Sequence, residues 1–84
     1  MCIKDLEKLF ERAKQFNEDV CIELTVPGKK AHEFIIVLND NLDYKLDYYK
    51  NSYTNELELK AFNEIKIVDA FAFVFGNKSN VHNL

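Results

Sequence analysis

From Ile3 to Asn17 the apolar positions Ile3, Leu6, Leu9, Phe10, Ala13 and Phe16 recur at three- and four-residue spacings. That stripe predicts an amphipathic helix. Asp5 and Glu7 near its start and Arg12 and Lys14 near its end suit the helix dipole. Glu18-Asp19 breaks the pattern, and from Val20 the period drops to two. Val20, Ile22, Leu24 and Val26 alternate with Cys21, Glu23 and Thr25, which predicts an amphipathic strand with one wet face. Pro27-Gly28 ends it, and Lys29, Lys30, Ala31 and His32 form a short basic connection.

Phe34 to Leu38 is apolar at every position, the mark of a strand covered on both faces, and predicts the central strand of a sheet. The next run alternates again, with Leu42, Tyr44, Leu46 and Tyr48 on one side and Asp43, Lys45, Asp47 and Tyr49 on the other. With Asn39-Asp40-Asn41 as the turn, the two runs predict a β-hairpin. Lys50 to Asn55 is a polar loop. Leu57 to Phe62 alternates like a fourth strand, although Asn55 and Glu58 also have capping-box spacing and the segment is rich in helix formers. A second helix is predicted from Glu64 to Phe75, capped by Asn63, with Phe62 and Ile67 placed as a hydrophobic staple and Gly76-Asn77 as its stop. The expected fold is α+β: an N-terminal helix, an antiparallel sheet of three to four strands and a C-terminal helix. Residues 1–77 form one compact domain, and 78–84 form a frayed tail.

Composition narrows the classes of function. With 84 residues there is room for one core but not for a deep substrate cavity, and 48% hydrophobic residues suffice to fold it without metals or disulfides. The formal net charge of −3 disfavours direct nucleic-acid binding, which needs a basic face, and favours a protein partner with a basic surface. The longest later apolar run, Ala70 to Phe75, is too short to cross a bilayer. The charged start of the chain, with Lys4, Asp5, Glu7 and Lys8, is unlike a signal peptide, so a cytoplasmic protein with free Cys2 and Cys21 is expected.

No constellation for catalysis stands out, and a non-enzymatic protein without cofactors is expected. Cys21 and His32 are the one nucleophile-and-base pair to weigh, but a mid-strand thiol and a turn histidine are the commoner outcome. Asn39, Asn41 and Asp43 alternate like the start of a calcium loop but lack its glycine and closing glutamate. The segment from Asp40 to Asp69 is richer in chemistry. Asp40, Asp43, Asp47, Glu56 and Glu58 lie there, interleaved with Tyr44, Tyr48, Tyr49 and Tyr53. Tyrosines bring rigid contact area with a polar tip, and carboxylates steer a basic partner. Tyr49, placed outward with Asp43 and Asp47, is the prime interface residue on the hairpin reading.

Several pieces in order resemble the small acidic phage anti-CRISPR proteins that inhibit type II-A Cas9, the compact type built from a helix, a three-stranded sheet and further helices. They are Asp5-Leu6, Asp19 before the first strand, Ile35-Ile36, Asn39-Asp40, Tyr44, then Asn63-Glu64, Ile67-Val68 and Phe71. The chain differs from that family in residues 50–62, which are an insertion, and in lacking an acidic stretch at Lys78 to Leu84. The resemblance implies that Asp19, Asn39, Asp40 and Tyr44 bind the basic DNA-reading cleft of a Cas effector. The expectation is therefore a protein-binding inhibitor from a phage or mobile element. A homodimeric structural or regulatory module pairing through the apolar C-terminal segment is the alternative.

Overall fold

The computed structural model describes residues 1–74, in the order α1 (Ile3–Gln15), β1 (Asp19–Leu24), β2 (Glu33–Val37), a 3-10 turn (Asn39–Asn41), α2 (Leu42–Ser52) and β3 (Ile67–Phe73). The three strands form one antiparallel sheet in the order β2-β1-β3. The fold is α+β, as expected, but its second helix lies mid-chain. The expected helix stop at Gly76-Asn77 and the tail at 78–84 lie outside the described residues.

α1 forms where its apolar stripe predicts and buries Leu6, Phe10 and Ala13. The backbone N–H of Cys2 donates to the Asp5 carboxylate at 2.8 Å, and that bond holds the Asp5 carboxyl below its ordinary pKa. At the other end Asn17 turns left-handed (φ 55°), and the Glu18 N–H reaches back to the Ala13 carbonyl at 2.7 Å. Asparagine tolerates that conformation, so the helix stops there and the chain reverses into β1.

β1 is the central strand. It pairs with β2 through Val20↔Val37, Cys21↔Ile36 and Ile22↔Ile35, and with β3 through Val20↔Ala72, Cys21↔Phe71 and Ile22↔Ala70. On the face expected to be wet, Cys21 is only 7% exposed between Ile36 and Phe71, while Glu23 and Thr25 are half-buried. Phe34 to Leu38, expected at the centre, is instead an edge, and Glu33, Phe34, Ile35 and Ile36 are all exposed. A continuous apolar run reports that both faces can be dry, not that both are covered.

The expected hairpin strand from Leu42 to Tyr49 is α2. Leu42, Leu46, Tyr49 and Tyr53 recur at four- and three-residue spacings and pack inward, so the helical period wins over the alternation that coexists with it. α1 packs on one face of the sheet against β1 and β3, and α2 packs along α1. Their residues meet Val20, Ile22, Leu24, Val37, Ile67 and Ala70 in one core, where Tyr49 lies edge-on to Phe10 with ring centroids 6.1 Å apart.

The expected fourth strand, Leu57 to Phe62, is a set of tight turns with two isolated bridges, Tyr53↔Leu59 and Glu58↔Lys66. Leu57 is fully buried at φ 67°, a conformation that disfavours a leucine. Its neighbours hold it there: the Thr54 N–H donates to the Glu58 carbonyl at 2.8 Å, and the Ile67 N–H donates to the Leu57 carbonyl at 2.9 Å. The expected helix from Glu64 to Phe75 is overturned by β3. Its side chains alternate, with Ala70 and Ala72 toward the helices and Phe71 and Phe73 away, and an irregularity beside Asp69 shifts the register.

Candidate protein-interaction surface

α2 carries its polar residues opposite the buried stripe. On a helical wheel Tyr44 and Asn51 point directly away from the Leu42, Leu46, Tyr49 line, with Asp43, Asp47 and Tyr48 beside them. Tyr44 is 73% exposed and Tyr48 43%. Lys14 of α1 donates to the Asp43 carboxylate at 2.8 Å, and Lys50 pairs with Glu7 across the same seam at 2.8 Å. These exposed pairs align the two helices more than they stabilise them. Lys45 lies over the Tyr48 ring at 5.5 Å. Asp47 is an exposed carboxylate on this stripe, and Asp40 is exposed in the 3-10 turn that precedes the helix.

The helix therefore gathers Asp43, Tyr44 and Asp47, which a hairpin was expected to display, leaves Asp40 exposed in the turn before it, and removes Tyr49. Tyr49 is 1% exposed, and burial pushes its hydroxyl pKa up. Asp19 and Asn39, which the resemblance places in a binding site, tie the fold together. Asp19 is buried at the start of β1 and accepts the Asn39 N–H at 2.8 Å. The Asn39 side chain donates to the carbonyls of Glu18 at 2.7 Å and Ala13 at 3.2 Å. One asparagine thus fastens the end of α1 and the start of β1 to the turn that leads into α2. Glu56 and Glu58 lie apart, in the turns after Tyr53: Glu56 is exposed beside Asn55, and Glu58 is half-buried with its N–H on the Thr54 hydroxyl at 3.2 Å.

The second surface is the face of the sheet that the helices leave bare. Phe34 and Ile36 of β2, Leu38 just beyond it and Phe71 of β3 stand there at 61%, 46%, 45% and 46% exposure. Sequence reasoning missed this surface because it placed Phe34 to Leu38 inside. The signal that could have exposed it is the alternation of alanine and phenylalanine from Ala70 to Phe73, which is a strand's pattern with unequal faces.

The side-chain partner of His32 is Glu23, not Cys21. His32 Nδ1 meets the Glu23 carboxylate at 2.5 Å, while burial, aided by Glu23 and Asp69, raises the pKa of the Cys21 thiol and keeps it protonated. Among the described residues no group of three or more His, Cys, Asp or Glu could hold a metal ion, and no helix is long and apolar enough to cross a membrane. Two shallow hollows, of about 60 Å³ between α1 and α2 and about 110 Å³ beside Asn39 and Asp40, are small for an organic substrate. No protein-family model matches the chain, and neither does any curated protein or solved structure.

Proposed function

We propose that this chain is a non-enzymatic protein-binding module, a cytoplasmic inhibitor or adaptor of phage or mobile-element origin, which engages a basic protein surface through the outward stripe of α2. The observation that carries the reading is the grouping of Asp43, Tyr44, Asp47 and Tyr48 on one exposed helix face. Core packing does not require Tyr44 to be a tyrosine, and an exposed aromatic between carboxylates is a common composition for an interface anchor. The small size of the hollows supports a role without catalysis.

A Cas9–guide complex is the concrete target, by virtue of the resemblance to anti-CRISPR proteins. The module would occupy a basic nucleic-acid site with its carboxylates. Titration of that complex with the full chain is the test. Asp47→Lys and Tyr44→Ala should each weaken binding about tenfold or more, and Asp47→Lys should make the salt dependence shallower. A chain with no affinity for any Cas effector sinks the anti-CRISPR form. Affinity indifferent to both substitutions removes the α2 stripe from the interface.

A further inference from the structure

Among the described residues nothing pairs with the outer edge of β2, and the edge lacks the usual protection. Exposed edges are normally blunted by a proline, an inward charge, a bulge or a covering loop, because their unpaired N–H and C=O groups recruit another strand. β3, the other edge, has a register shift and carries Asp69. β2 has no register shift, and its one charge, Glu33, stands at its first position: Phe34-Ile35-Ile36-Val37 is uninterrupted and unkinked, and among the described residues no backbone hydrogen bond outside the β1 pairing reaches Glu33–Val37.

The exposure of β2 is also two-sided. Phe34 and Ile36 point to the bare face, but Ile35 shares the helix-covered face with Val37 and is still 38% exposed. A partner stacked on the bare face would cover Phe34 and Ile36 and leave Ile35 wet. An added strand flanks all three. The two ends of β2 carry opposite charge, with Lys29, Lys30 and His32 before it and Asp40 after it. Lys29 pairs with Glu33 at 3.5 Å, whereas neither Lys30 nor Asp40 has an ion-pair partner among the described residues.

We infer that β2 pairs antiparallel with β2 of a second copy of this chain, joining two three-stranded sheets into one of six strands. A two-fold axis at the middle of β2 brings the Lys29–His32 approach of each copy alongside the Asn39–Asp40 turn of the other. Lys30 then meets Asp40 twice, once at each end. The interface is isologous, and the strand is complementary to itself in hydrogen bonding, in apolar side chains and in terminal charge. This inference does not rest on the α2 reading, since it is tested with the chain alone.

Light scattering over about a hundredfold range of concentration should show the mass rising from the 9.9 kDa of one chain to twice that value. Phe34→Lys, at a position too exposed to matter to the folded monomer, should raise the dimer dissociation constant about tenfold or more while the circular dichroism spectrum is kept. Lys30→Asp and Asp40→Lys should each weaken self-association, about tenfold for the two symmetric contacts together. Mixing these two variants should restore the dimer, because in the mixed pair both contacts again join opposite charges. A mass of one chain at every concentration overturns the proposal. So does a dimer indifferent to Phe34→Lys, or a mixture of the charge variants that associates no better than either alone.

Discussion

β1 and β2 are adjacent strands of similar length, and each is treated by the fold against its composition. β1 carries a glutamate and a cysteine among its apolar residues and is paired on both edges, with Val20 and Ile22 fully buried. β2 is apolar from Phe34 to Val37 and lies at the rim, with only Val37 buried. Burial here follows position in the sheet. The apolar side chains of β1 hold the monomer together, whereas Phe34, Ile35 and Ile36 stay exposed among the described residues, as the proposed pairing of β2 requires.

Substitution separates these roles most sharply. Ile22→Ala should cost about 2–5 kcal/mol, because it opens a cavity where the sheet meets the helices. Phe34→Ala should change stability by about 0.5 kcal/mol or less. Urea denaturation at low protein concentration compares the two, and equal losses would erase the distinction between the strands.

An intermediate effect is expected where β2 leaves the sheet. Asn39→Ala removes the side-chain donor to the Glu18 and Ala13 carbonyls and should cost about 1–3 kcal/mol, seen as a lower urea midpoint with an unchanged slope. A loss this large at Asn39 beside a negligible one at Phe34 would show that β2 is fixed at its end and not along its length.

The smallest effect concerns the pairing of the two helices. The Lys50 ammonium holds the Glu7 carboxyl below its ordinary value of 4.5, and Glu7 in turn raises the pKa of Lys50 above 10.5. A lowered carboxyl pKa gives stability that is present above 4.5 and lost as pH falls through the lower folded value. A raised lysine pKa gives stability that is present below 10.5 and lost as pH climbs through the higher folded value. Glu7→Gln should therefore flatten a shallow acid-side decline in melting temperature, and salt should mask the difference.

Much of the first half was legible in the sequence, because α1 and β1 each have one dominant period and β2 is a continuous apolar run bounded by turn residues, although that run does not tell an edge from a centre. Ile3 to Phe16 admits only a helical stripe, and Val20 to Leu24 only alternation. The second half carries two periods at once. Leu42, Tyr44, Leu46 and Tyr48 alternate, but Leu42, Leu46, Tyr49 and Tyr53 also fit a helix, and only tertiary packing decides between them. From Ile67 to Phe73 the alanines raise helix propensity while serving as the small face of a strand beneath α1. The acidic grouping survived the exchange of hairpin for helix because Asp47 lies four residues after Asp43 and three after Tyr44. Tyr49 did not, since it falls on the buried line. The bare sheet face was illegible for a different reason: a run of apolar residues looks the same whether the chain itself or a second molecule covers it.

The central strand also sets a schedule. β1 finds its first partner soon after it is made, since β2 follows within one short turn, but its second partner, β3, ends the described chain. Throughout synthesis of α2 and the turns after it, one edge of β1 has no strand to pair with, and closing that distance costs chain entropy before any contact repays it. β3, the last strand among the described residues, therefore completes the sheet. A chain cut before Ile67 is not a smaller version of the fold but an unfinished one, open along its most apolar axis and prone to pair with whatever strand it meets first.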